Sequence, residues 1–277
     1  MIINMMKYSI KRAIKENKKE VIIIFLVIPL IISLCSFLPP SIRDKLKVNL
    51  SDFNVITFYT AIFIHDNLVH YLGNITVYIM YTFFAYSINL ISQKRMWFLK
   101  NYLIFFLMLP LIMYTALISI NRFYLGNRLH FSCGISGILS AIMGLLPMSF
   151  VLFLESSNIE ARLNEIFFLI ISVSLLFIPY IYEAKYFLFV IVLTVLFLVW
   201  RNRKGLETIG RFIKEILKQD IFSGMLIIMV IILYFFGITA IFPKTIILKG
   251  GIIDIFTHYV GWILGIFISY LLNVYEN

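Results

Sequence analysis

Long apolar runs alternate with short polar, charged segments along this chain, and most of the runs are long enough to cross a bilayer. They fall at 21–38, 68–91, 102–120, 134–154, 166–182, 186–200, 221–242 and 254–273. A helix of about 20 apolar residues crosses a hydrocarbon core of about 30 Å, so the pattern predicts an all-α polytopic membrane protein with about eight spans. Runs 166–182 and 186–200 are short, and only Glu183-Ala184-Lys185 separates them. They read either as one long broken helix or as a tight hairpin. Between the runs, residues 1–20 form a basic amphipathic segment suited to anionic headgroups. Residues 39–67 form a long loop carrying Pro39-Pro40 and the mixed-charge run Arg43-Asp44-Lys45, and 201–220 reads as an amphipathic surface linker.

Composition strengthens the membrane reading. Apolar residues make up 61% of the chain, charged residues 14%, and the mean hydropathy is +0.96. Soluble domains carry roughly 25% charged residues, so lipid must be the solvent for most of this surface. The organisation is a basic cytoplasmic segment, 1–20, followed by a single membrane domain, 21–277. The first run follows a basic segment and lacks a small-residue cleavage site, which marks a retained span rather than a removed signal peptide.

The net charge of +10 does not point to nucleic acid, because the cations cluster between apolar runs, as topology signals do. With eight spans and a cytoplasmic N-terminus, the inner segments hold Lys7, Lys11, Arg12, Lys15, Lys18, Lys19, Lys94, Arg95, Lys100, Arg162, Arg201, Arg203, Lys204, Arg211, Lys214 and Lys218, which is 16 of the 24 basic residues. A single helix over 166–200 would carry the basic 201–218 segment outward, so the charge bias favours the hairpin. Both termini are then cytoplasmic, and the starts of the second, fourth and eighth spans lie at the outer face. The size and the lack of a eukaryotic sorting signal suit a prokaryotic plasma membrane. Cys35 and Cys133 show neither metal nor disulfide spacing and read as small packing residues.

Three motifs carry candidate chemistry: His65-x4-His70-x3-Asn74, Gly134-Ile135-Ser136-Gly137, and His258-x2-Gly261-x3-Gly265. They hold three of the chain's four histidines; His130 reads as an interfacial loop residue. Polar and ionisable groups in apolar spans are costly and mark function by default. Ser136 opens an apolar helix, where unpaired N–H groups favour developing negative charge. A serine attacks a carbonyl only if a base takes its proton, and neutral His258 is the natural base. Gly261 and Gly265 form a small-residue face that permits close helix contact, and Gly137, Ala141 and Gly144 offer a matching stripe. Packing the stripes together would bring Ser136 and His258 within reach as a Ser–His dyad, with Asp254 one turn before His258 as a candidate to orient it. Oxyanion donors are needed as well. His70 and Asn74, four apart and on one helix face, can supply them with the Ser136 amide. Each motif alone is more often packing than catalysis, but together, in a consistent topology, they point to chemistry.

These residues resemble the rhomboid family of intramembrane serine proteases. The stretch from Thr60 to Asn74 is similar to that family's first-loop and second-helix region, Gly134–Gly137 with Ala141 and Gly144 to its nucleophile helix, and His258-x2-Gly261-x3-Gly265 to its last core helix. The resemblance covers roughly 20–154 and 221–273. It implies a six-helix core, to which this chain adds a helical hairpin near 166–200, with catalytic Ser136 and His258 and an oxyanion site from His70, Asn74 and the Ser136 amide. It also implies structural roles near the site for His65, Gly134, Gly137, Gly261 and Gly265, and a polar cavity that admits water to Ser136. No cofactor or metal is implied. The implied partners are transmembrane protein substrates within the lipid bilayer, cut near the outer membrane face. The sequence departs from the family at Ile56-Thr57, where a Trp-Arg pair is usual, at Ser140, where an aromatic residue is usual, and in having three rather than one span between the serine and histidine helices.

Three other readings compete. A catalytically silent, rhomboid-like protein would bind membrane clients without cutting them. A metal-dependent membrane hydrolase would draw ligands from His65, Asp66, His70, Asp254 and His258, leaving Gly134–Gly137 without a role. A transporter would use the helix breaks at Pro147 and Gly224 or Gly237, though no charged residues mark an ion path.

Overall fold

The computed structural model describes residues 15–124, 126–127, 129–159, 163–181, 185–219, 221–241, 247–248, 251–252 and 255–276. Ten helices are described: α1 (Lys18–Ser36), α2 (Pro40–Leu46), α3 (Val55–Ala61), α4 (Leu68–Ile91), α5 (Arg95–Phe123), α6 (Ser136–Ser156), α7 (Leu163–Ile181), α8 (Lys185–Gln219), α9 (Ile221–Ile241) and α10 (Ile255–Glu276). Four two-residue strands accompany them, β1 (Val48–Asn49), β2 (Phe131–Ser132), β3 (Ile247–Leu248) and β4 (Gly251–Ile252). Among the described residues, α1, α4, α5, α6 and α10 are long and apolar enough to cross a membrane. The chain is an all-α polytopic membrane protein.

Helix bounds follow the apolar runs closely, with one informative difference. Run 186–200 and the segment after it are not separate, because α8 continues unbroken from Lys185 to Gln219. Its exposed face changes from apolar (Leu193, Leu196, Phe197, Trp200) to basic (Arg203, Lys204, Arg211, Lys214) while the helix persists. The loop at 39–67 is also more ordered than its Pro-rich start suggests, since it contains α2, α3 and β1.

The contacts divide the chain into two compact units. One holds Phe84–Phe98 and Leu145–Ile246. In it α7 packs beside α8, and α8 beside α9. Glu165 on α7 accepts from Arg201 Nε at 3.0 Å and from Asn202 Nδ2 at 2.9 Å on α8. Ser174 Oγ on α7 donates to Tyr234 Oη on α9 at 2.8 Å. Such bonds give polar groups in an apolar bundle the partners that lipid cannot.

The other unit holds Lys11–Phe83, Leu99–Gly144 and Ile247–Asn277, and so contains all three motifs. Its core includes a buried polar chain: Tyr78 hydroxyl donates to the Ile24 carbonyl at 2.8 Å and also bonds the Tyr102 hydroxyl. Ile24 lies in a π-helical turn, Ile23–Val27, inside α1. A π turn loosens the backbone ladder, and here it coincides with a carbonyl that takes a side-chain donor. The ladder of β1 with β2, Val48 opposite Ser132 and Asn49 opposite Phe131, ties the first loop to the segment before α6.

The closest packing in this unit is between α6 and α10. A Cβ on Gly261 would overlap the Gly137 carbonyl oxygen, and one on Gly265 the Ala141 carbonyl oxygen. A Cβ on Gly144 would stand 2.5 Å from the Trp262 oxygen. The two small-residue stripes are therefore in backbone contact, the arrangement the GxxxG spacing calls for.

Candidate functional site

Local chain chemistry sets the start of α4. Asn67 Oδ1 accepts from the His70 amide at 2.8 Å, and the Asn67 carbonyl accepts from Tyr71 N at 3.0 Å. Asn67 is thus the N-cap, which fixes His70 in the first turn and Asn74 one turn later on the same face. His65, just before this cap, is 1% exposed, and its Nδ1 bonds Ser36 Oγ at 3.0 Å. Its ring meets that of His70 edge to face, with centroids 5.0 Å apart. Burial, helped by the nearby His70, pushes the His65 pKa down to about 4 against the pull of Asp66, so the ring is neutral near pH 7.

The start of α6 is set by Gly134. Its φ of +114° is disfavoured for any residue with a Cβ, and its N–H donates to the Ala61 carbonyl at 2.9 Å. The space beside it is filled by the donor pair: a Cβ there would lie 3.0 Å from His70 Cε1, 3.3 Å from His70 Nε2 and 3.5 Å from Asn74 Nδ2. The first bond of the helix runs from Ile138 N to the Ile135 carbonyl at 2.9 Å, so the Ser136 and Gly137 amides precede the internal ladder. Asn74 Nδ2 is itself buried and has no hydrogen-bond acceptor among the described residues. A buried donor left this way is costly and stands ready for an acceptor.

The helix contact of α6 with α10 places the remaining candidate. A Cβ on Gly137 would lie 3.3 Å from the Thr257 carbonyl oxygen, and Ser136 and His258 are the chain neighbours of these two residues. His258 is close enough to His70 for their charges to interact. Ser136, His258, His70, Asn74, Gly134, Gly137, Gly261 and Gly265 thus occupy one region of one unit, with His65 behind His70. Among the described residues no hydrogen bond joins Ser136 Oγ to His258; such bonds are often long before substrate binds. Asp254 lies outside the described residues.

Both single-residue departures from the resembled family have a definite structure. Ile56 is 73% exposed and Thr57 Oγ1 donates to the Asn54 carbonyl, so neither anchors the first loop to the site. Ser140 is fully buried and donates to the Ser136 carbonyl at 2.8 Å. Among the described residues no three His, Cys, Asp or Glu side chains converge as a metal set. A cavity of about 270 Å³ opens beside Ser36, Arg43, His65, Asp66 and Tyr71, on the His65 side and not at Ser136.

Sequence reasoning missed the groups that bind the two loops together. Arg43 Nη1 donates to the His65 carbonyl at 2.9 Å. Lys47 Nζ lies 2.6 Å from Asp66 Oδ1 and 2.8 Å from Asp44 Oδ1. Asp66 also lies close enough to the Cys133 thiol for the two groups to affect each other's ionisation. Burial acts to raise the Asp66 pKa, but the bonds and charge of Lys47, then Cys133 and His70, outweigh it and hold the carboxyl below its ordinary range. Burial and the Asp66 charge push the Cys133 thiol up to about 12. The only hint in the sequence was the mixed-charge run Arg43-Asp44-Lys45. Set against known proteins, the chain matches no family model, no curated protein and no solved structure.

Proposed function

We propose that the protein is a rhomboid-type intramembrane serine endopeptidase that cuts transmembrane proteins near the outer membrane face. The observation that carries this reading is the convergence, by two independent contacts, of three distant motifs on the start of α6. Gly134 packs on His70 and Asn74, and Gly137 packs on the residue before His258. Helix packing alone would account for the second contact but not for the buried polar donor, Asn74, at the first.

In the proposed reaction His258 takes the proton of Ser136 Oγ as the oxygen attacks a substrate carbonyl carbon. The carbonyl oxygen becomes an oxyanion, received by Asn74 Nδ2, a His70 ring N–H and the Ser136 amide. The intermediate collapses as His258 returns the proton to the leaving amine. Water, activated by His258, then hydrolyses the acyl-serine. No metal or cofactor takes part in this scheme. A substrate helix must unwind locally to present its carbonyl, because an intact helix keeps that group in its own ladder. The topology that suits this chemistry has eight spans, a hairpin of α7 and α8 added to a six-helix core, and both termini in the cytoplasm. A prokaryotic plasma membrane is the proposed location.

A second reading, a silent client-binding relative, is favoured by one feature: Ser140 stands where an aromatic residue would stack on His258. Cleavage of a model transmembrane substrate in liposomes separates the readings. The protease should cut it, Ser136→Ala and His258→Ala should each abolish cutting, and a chelator should leave it unchanged. Activity that survives Ser136→Ala but dies with chelator would replace this reading with metal chemistry. Client binding by wild type without cleavage would favour the silent relative.

A further inference from the structure

We propose that Lys47 and Asp66 are positioning residues whose ion pair, shared with Cys133, sets the loop bearing the oxyanion donors against the loop bearing the nucleophile. The inference rests on the serine-protease reading and assigns these residues a part in the same site.

The geometry follows from the register of the small ladder. Val48 pairs with Ser132 in antiparallel sense, so the next positions, Lys47 and Cys133, are neighbours across its end. Asp66, from the turn before α4, reaches both: its carboxylate accepts from Lys47 Nζ at 2.6 Å and lies beside the Cys133 thiol. One side chain therefore joins three segments. On one side it leads through Asn67 to His70 and Asn74; on the other, Cys133 is followed directly by Gly134, the residue those two side chains pack against. Arg43 adds a fourth point by holding the His65 carbonyl at 2.9 Å. The ladder and the Gly134 N–H to Ala61 bond fix the backbones, while Asp66 fixes the approach of the turn that carries the donors.

Asp66 is 56% exposed at its side chain, and Lys47, at 17%, keeps Asp44 at 2.8 Å as a second partner, so loss of this one pair changes global stability little. A displacement of about 1 Å at a reacting centre, in contrast, lowers rate by as much as about a hundredfold. The two roles are therefore separable by measurement.

The test uses the full-length protein in liposomes, with Lys47→Met, Asp66→Asn and Lys47→Arg. Lys47→Met and Asp66→Asn should lower kcat by about tenfold or more with KM and the thermal midpoint nearly unchanged, and Lys47→Arg should restore kcat to within about threefold of wild type. In a Cys35→Ser background, alkylation of Cys133 should speed up in Asp66→Asn, which removes both the clamp and the charge that disfavours the thiolate, and stay at the wild-type rate in Lys47→Arg. Unchanged kcat, or a kcat that falls only in step with the folded fraction, would overturn the assignment. If wild type neither cuts nor labels at Ser136, the protease reading fails. The Cys133 rate then tests the clamp alone, and an unchanged rate would overturn that too.

Discussion

Asn74 is the residue whose surroundings most sharply separate catalysis from packing. It is 9% exposed, its Nδ2 finds no acceptor among the described residues, and it lies against Gly134. Asn74→Ala should lower kcat by about a hundredfold, the usual effect of losing one oxyanion donor, with KM nearly unchanged. A steady-state comparison in liposomes checks this, and an equal loss in KM would show a substrate-binding role instead. Asn74 was legible in the sequence because it is four residues from His70, and a helix turns that spacing into one face. Lys47, Asp66 and Cys133 were not legible as a group. They come from three segments, and only the β1–β2 register, two residues long, brings the first and last together. Strands that short leave no periodic signal.

At the scale of elements, the contact of α6 with α10 should be the least tolerant of added volume. A Gly261→Ala methyl meets the Gly137 carbonyl, so the helices must separate. The expected cost is about 3 kcal/mol or failure to accumulate. Gly73→Ala on α4 is the control, because nothing lies within 4 Å of its Cβ position. It should be neutral, or stabilising by up to about 1 kcal/mol through helix propensity. Thermal unfolding of both variants in detergent measures the contrast, and equal effects would mean that α6 and α10 do not touch as described. This contact was readable from Gly261-x3-Gly265 against Gly137-x3-Ala141. The length of α8 was not: near residue 200 the chain exchanges an apolar exposed face for a basic one, and hydropathy registers that change although the backbone continues as helix.

For the whole molecule, the proposed chemistry requires Ser136 and His258 on one side of the membrane, as an even number of spans between their helix starts provides, and the basic-residue bias makes that side the outer one. Single cysteines introduced at positions 51 and 127 should react with an impermeant thiol reagent added outside intact cells, and one at 94 should not. The reverse pattern would place the site at the inner face. Five of the eight expected spans were legible because apolar length alone reports them, whereas parity depends on the short runs around Glu183, which hydropathy resolves poorly. The proposed function stands on Ser136 as a nucleophile activated by His258. Its most direct test is to treat the protein in liposomes with a fluorophosphonate and locate the adduct by peptide mass spectrometry. A single adduct on Ser136 is expected in wild type and should be lost in His258→Ala. No adduct at Ser136, or one that forms equally well without His258, would contradict it.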